Sequence, residues 1–183
     1  MQKKLPMRKN IRLQEYDYSS AGYYFITICI NDGHEIFGNI DNGQIIFNKY
    51  GKIAECNLLN IPCHIKSVFI DKYVIMPNHV HMIMGIIENL GTRHISSDKP
   101  KPDNERTPYM ASLQTKSKQT VSKAIQQYKA SVSRETKIAG LWQPRFHDHI
   151  IRNEEKYKLI WRYIDENPIK WNEDRYYKTI KKD

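Results

Sequence analysis

VIMPNHVHMIMGII, residues 74–87, contains the longest apolar run of the chain, broken once at Pro77-Asn78. A Pro-Asn pair inside such a run marks a turn, so the stretch predicts two strands, Ser67–Met76 and His79–Ile87. Upstream, YYFITICI at Tyr23–Ile30 is aromatic and β-branched and predicts a further strand. Between them lie the turn dipeptides Asp32-Gly33 and Asn42-Gly43, then a short strand at Gln44–Asn48. Lys49–Asn60 spaces Ile53, Cys56 and Leu59 every third residue and predicts a helix stopped before Pro62. Downstream, Thr120–Lys137 carries Val121, Ile125, Tyr128 and Val132 at helical spacing, with Gly140 expected to end the helix. Leu141–Arg152 reads as the fourth main strand. Asn153 is the expected N-cap of a helix with Glu154 and Glu155 in its first turn, running to about Asn167 and halted by Pro168. The order is that of a split βαβ, ferredoxin-like α+β sandwich: an antiparallel sheet with helices on one face. A small strand pair and a C-terminal helix are added to it.

The chain has 183 residues, the size of one domain, with 40% hydrophobic and 27% charged residues. No apolar run approaches the ~20 residues of a membrane span, and no apolar segment of signal-peptide type follows the basic N-terminus. Cys29, Cys56 and Cys63 are too few and too scattered for a disulfide framework or a four-thiolate zinc site, which fits a reducing cytoplasm. Residues 1–20 are polar and basic and read as an arm; residues 89–119 are polar, proline-bearing and read as a flexible linker within the domain. With 29 Lys+Arg against 20 Asp+Glu, the formal charge of +9 favours a polyanionic partner, nucleic acid ahead of an anionic membrane surface.

His79-Val80-His81 is the sharpest local feature. Alternate strand residues face one way, so both imidazoles project together, ~6.5–7 Å apart at the backbone, within reach of one divalent ion. For a bare H-x-H, a solvent-facing or structurally hydrogen-bonded pair is nevertheless the commoner outcome. A second pair, His147-Asp148-His149, admits the same two readings, with the structural one favoured. On the C-terminal helix, Tyr163 and Asn167 stand four apart and share a face; Tyr157, six before Tyr163, lies about 120° away. A lone helical tyrosine is usually core, but here an amide oxygen follows one turn on. A phenol attacks phosphorus at neutral pH only when a metal ion polarises the phosphate. Two imidazoles and an amide oxygen suit Mn²⁺ chemically, with Mg²⁺ favoured by abundance. Zinc-deaminase, H-E-x-x-H, G-x-S-x-G and Walker A patterns are absent.

VIMPNHVHMIM, followed by LWQPRFHDHIIRNEEKYKLIWRYIDENPIKW at Leu141–Trp171, resembles the REP-associated tyrosine transposases. These belong to the IS200-like, single-tyrosine HUH superfamily, in which U is a hydrophobic residue. The opening RKNIRLQEYDYSSAGYYFITICIND resembles the start of that subgroup, and the likeness spans roughly residues 8 to 170 apart from the linker. The resemblance implies a metal-dependent endonuclease and strand transferase. It would recognise palindromes folded as hairpins, cut the adjacent single strand and form a 5′-phosphotyrosine intermediate. It implies Tyr163 as nucleophile, His79, His81 and Asn167 as ligands of a divalent ion (Mg²⁺ or Mn²⁺), and a bacterial, cytoplasmic, nucleoid-associated protein, monomeric or homodimeric. Arg8, Lys9 and Arg12 of the arm, Lys123, Lys129 and Arg134 of the basic helix, and Arg145 are candidate DNA contacts. Tyr16, Tyr18 and Trp142 are candidate base-stacking residues, with core packing the default for Trp142. The rival readings are a non-catalytic or domesticated hairpin DNA- or RNA-binding protein, and a hydrolase that uses water instead of a tyrosine.

Overall fold

Eight consecutive buried residues, His79–Ile86, form strand β5, and they are buried because both faces of the sheet are covered. The computed structural model describes residues 21–87 and 120–177. In chain order these hold β1 (Gly22–Cys29), β2 (Gly38–Asp41), β3 (Gln44–Phe47), α1 (Lys49–Leu59), α2 (Ile61–His64), β4 (Val68–Met76), β5, α3 (Thr120–Thr136), β6 (His147–Ile151) and α4 (Glu154–Glu166). The main sheet is antiparallel with order β4-β5-β1-β6, which is the ferredoxin-like arrangement expected from the sequence. The arm and the 89–119 segment, with Arg8, Lys9, Arg12, Tyr16 and Tyr18, lie outside the described residues.

Alternation sorts the strands' side chains between two apolar layers. Tyr24, Ile26, Ile28, Val80, Met82 and Met84 face α1 and α3, meeting Ala54, Leu58, Val121, Ile125 and Tyr128. Val74, Met76, Ile83 and Ile151 face the other way, toward Ile164 of α4 and Trp171 beyond it. The C-terminal helix therefore covers the sheet face opposite the two long helices. β4 and β5 are joined at Pro77-Asn78, with Met76 opposite His79, so both histidines fall on the face of α4. Thr27 of β1 stands between His81 on one side and His147 on the other.

Several expectations are corrected by local chemistry. The fourth strand is confined to β6, because Pro144 cannot continue a ladder; before it, Trp142 is buried, bridges Ile30 and donates its Nε1 to the Lys129 carbonyl at 3.1 Å. Trp142 is thus a core residue and not a stacking platform. Pro62 does not end the helical region: it sits in the first turn of α2, where its missing N–H is not needed. Helix α3 ends at Thr136, and the left-handed residue that follows is Lys137 (φ 58°), not Gly140. Gly38–Asp41, inside the segment read as turns, pairs with β3 through Asn42 and Gly43, both at positive φ as a two-residue hairpin turn requires.

Candidate active site

The site begins with Asn78, the turn residue before the two histidines. Its amide nitrogen donates to the carbonyls of Tyr176 (2.8 Å) and Gly33 (3.3 Å), which fixes its oxygen toward His79. His79 Nδ1 lies 2.8 Å from that oxygen and must carry the proton, so the other ring nitrogen, Nε2, keeps its lone pair. Nε2 is buried and has no hydrogen-bond partner among the described residues. His81 Nδ1 lies 2.8 Å from Thr27 Oγ1, and its Nε2 is 3.2 Å from the Tyr163 hydroxyl. The two imidazoles are 4.5 Å apart by ring centre.

Helix α4 brings the remaining groups. Asn153 caps it by accepting from Lys156 N at 2.9 Å, and Ile164 anchors it in the apolar layer under the sheet. Lys72 ties its outer side to β4 through Asp165 (2.7 Å) and the face of Trp161 (3.6 Å). In that orientation Tyr163 is 40% exposed, half sunk beside His81 and accessible from outside, with Phe25 packed edge-on to it and stacked on His81. Tyr157 points away and donates to Asp71, as the 120° offset predicts. Asn167 is buried one turn beyond Tyr163; its nitrogen donates to Asp174 Oδ2 at 3.0 Å, while its Oδ1 has no partner among the described residues.

Asp174 completes the cluster from the segment after α4. Its Oδ2 lies 3.4 Å from the Tyr163 hydroxyl, and its Oδ1 accepts from Tyr176 N at 2.7 Å. Ligand atoms of His79, His81 and Asp174 all lie within 4.8 Å of one another. Among the described residues this is the one such group of three His, Cys, Asp or Glu side chains, and it could hold a metal ion. The second pair, His147 and His149, sits on the same sheet face but exposed on the edge strand, apart from that group.

Electrostatics follow from burial. It pushes His79 down to about 4, opposed by the Asp174 carboxylate, and holds His81 well below the usual imidazole range, reinforced by neighbouring His79. Both rings are therefore neutral at pH 7, the form that ligates metals. Burial, and then the Asp174 charge, raise the Tyr163 phenol above its ordinary range. In the bare site Tyr163 keeps its proton. Two buried acceptor atoms without partners, beside a carboxylate and a phenol held protonated, form a donor set that fits a divalent cation.

The basic candidates separate. Arg145 is exposed and lines a cleft of about 640 Å³ that adjoins the site through Asn78 and Tyr176. Lys123 and Arg134 are exposed on α3, on the far side of the sheet from Tyr163. Lys129 is half-buried and donates to the Gln143 carbonyl at 2.6 Å. Asn78, Thr27, Asp174 and Tyr176 were invisible as site residues. Asn78 carried only a turn signal, and Asp174 belongs to a tail that reads simply as polar.

The described fold is similar to that of a REP-associated tyrosine transposase solved bound to a REP hairpin, with a TM-score of 0.56 at 18% identity, covering 87% of this chain and 73% of that one. In the fold of this chain the paired histidines face a tyrosine-bearing helix. The chain belongs to one family with an uncharacterized protein of Haemophilus influenzae (strain Rd), 37% identical over 174 residues that cover 93% of each chain. A second protein of that organism, named "Putative REP-associated tyrosine transposase", is 23% identical over 154 residues, 84% of this chain and 74% of its own. No protein-family model matches the chain.

Proposed function

We propose that the protein is a metal-dependent single-stranded DNA endonuclease and strand transferase acting beside hairpin-forming palindromes, with Tyr163 as nucleophile. The observation that carries this reading is the meeting of Tyr163 Oη with His81 Nε2 at 3.2 Å, next to the unpartnered His79 Nε2 and Asn167 Oδ1. His79, His81 and Asn167 would hold the ion, with Asp174 beside them to balance its charge. When bound, a divalent cation lowers the phenol's pKa and neutralises charge that develops on phosphate oxygens.

The chain's own residues do the rest. Tyr163, exposed on one side, meets a phosphodiester approaching from solvent, and Phe25 keeps the ring edge-on to His81. Tyr163 Oη forms a bond to phosphorus, and the bond from phosphorus to the 3′ oxygen breaks. Asp174 Oδ2, 3.4 Å from the phenol, accepts its proton, and the departing 3′ oxygen takes one up to leave as a hydroxyl. Attack of a 3′ hydroxyl on the phosphotyrosine reverses the exchange and rejoins DNA without a nucleotide cofactor. Hairpin recognition is supported by the structural neighbour, which was solved with a REP hairpin.

Denaturing electrophoresis of the protein with labelled hairpin DNA, with and without Mn²⁺, tests the reading. A covalent protein–DNA band that needs Mn²⁺ and disappears in His79→Ala and His81→Ala supports it. Cleavage without a band would identify a hydrolase, and hairpin binding without either would identify a binding protein.

A further inference from the structure

The chemistry above leaves one proton without a source. When the bond from phosphorus to the 3′ oxygen breaks, that oxygen leaves poorly unless a proton donor stands beside it. Tyr163 and Asp174 belong to the attacking side. The second histidine pair, His147 and His149, takes no part in the attack.

β6 carries that pair exposed, on the sheet face of His79, His81 and Tyr163. The strand register sets two rows across the sheet. In the first, Thr27 of β1 stands opposite His81 on one side and His147 on the other. In the second, Phe25 stands opposite Ile83 and His149. The rows differ in what separates each histidine from the nucleophile. Phe25 packs its ring against Tyr163, with centroids 6.0 Å apart, so His149 has that ring between it and the phenol. Thr27 is short and buried, with its hydroxyl engaged on His81 Nδ1 at 2.8 Å. The first row therefore sets one imidazole on either side of a small residue.

Distance agrees with a role at the leaving group. Neighbouring strands lie ~4.8 Å apart, which puts the His147 backbone about 10 Å from that of His81. Tyr163 Oη is 3.2 Å from His81 Nε2, and an attacking oxygen meets phosphorus from ~3–3.5 Å. In an in-line displacement the departing oxygen lies beyond phosphorus, and its proton donor must come within ~2.6–3.2 Å. An imidazole two strands from His81 matches that span. Imidazole also suits the task, because it gives and takes protons near neutral pH. His147 borders the cleft lined by Arg145 and Arg175, whose charges favour a phosphate backbone on that side.

We infer that His147 is the general acid of strand cleavage, placed opposite Tyr163 across the scissile phosphate. Its imidazolium gives a proton to the 3′ oxygen as the phosphorus–oxygen bond breaks and becomes neutral imidazole, while Asp174 holds the proton from Tyr163. In the reverse step the neutral ring takes the proton from an attacking 3′ hydroxyl. The inference rests on the strand-transfer reading and supplies its leaving-group half.

The test follows adduct formation by the full chain with Mn²⁺ and labelled hairpin DNA, after the parent protein has located the cut. Two substrates are compared, one natural and one with sulfur in place of the bridging 3′ oxygen at the cut. A thiol has a pKa of about 8.5, far below that of an alcohol, so a 3′ sulfur departs without an acid. His147→Ala and His147→Gln should slow adduct formation ~10²–10⁴-fold on the natural substrate and match the parent on the sulfur one. His149→Ala should match the parent on both. Equal slowing of the His147 variants on both substrates, or no slowing on the natural one, overturns the inference and spares the strand-transfer reading. A parent protein that forms no covalent adduct with natural hairpin DNA removes that reading and the inference together.

Discussion

His79 holds a definite tautomer because Asn78 spends both of its donor hydrogens on backbone carbonyls and can only accept from the ring. That makes Asn78 a positioning residue. Asn78→Ala should weaken Mn²⁺ binding about 10- to 100-fold by calorimetric titration, the usual cost of losing a ligand's outer hydrogen bond. Unchanged affinity would mean the ring is held by packing alone. The neutral histidines also set an acid limit. Each has a folded pKa below its unfolded value, so its stabilising contribution is complete above about pH 6.5 and is lost as pH falls below that, for His79 toward about 4, by up to ~1.4 kcal/mol per pH unit for each group. Urea midpoints measured from pH 8 to 4 should show this decline in the metal-free protein, and a His79→Gln, His81→Gln double variant should flatten it. At this scale the shared face of His79 and His81 and that of Tyr163 and Asn167 were legible, because strand and helix periods decide which side chains project together. Asn78 and Asp174 were not, since their roles depend on partners such as Tyr176 O, 98 residues from Asn78.

Among the elements, α1 shows tertiary packing overriding propensity. Gly51 stands in its first turn, where Ala would ordinarily gain about 1 kcal/mol. A Cβ there would lie 2.2 Å from the Phe37 carbonyl oxygen and 2.8 Å from the Phe47 ring, so backbone must move. Gly51→Ala should therefore destabilise the protein, by about 1–3 kcal/mol in urea denaturation, because overpacking outweighs the helical gain. An unchanged or raised midpoint would show that α1 can slide. Element types were readable from period and caps: Asn153 caps α4 as its sequence position suggests. Boundaries were less so. The Leu141–Phe146 stretch is apolar and aromatic enough to read as strand, yet Trp142 and Leu141 are buried as core and Pro144 interrupts the ladder.

For the whole molecule, the +9 charge is not one surface. Lys123 and Arg134 lie across the sheet from Tyr163, whereas Arg145 stands beside the site. Binding of a labelled hairpin should weaken steeply with salt, and Arg145→Ala should reduce the log–log slope by about one. Lys129→Met should leave the slope unchanged, because that amine is already bound to Gln143. Equal effects from both variants would contradict the separation. The ferredoxin-like order was legible from the succession of elements, and the decisive feature, α4 closing over the histidine face, follows from placing Ile164 in the second apolar layer. The central claim is that this closure makes Tyr163 a nucleophile. Mass spectrometry of the covalent adduct formed with labelled hairpin DNA and Mn²⁺ tests it most directly. The account predicts a phosphodiester-linked nucleotide on Tyr163 alone, with Tyr163→Phe retaining hairpin binding and forming no adduct. An adduct on another residue, or one that survives Tyr163→Phe, would contradict it.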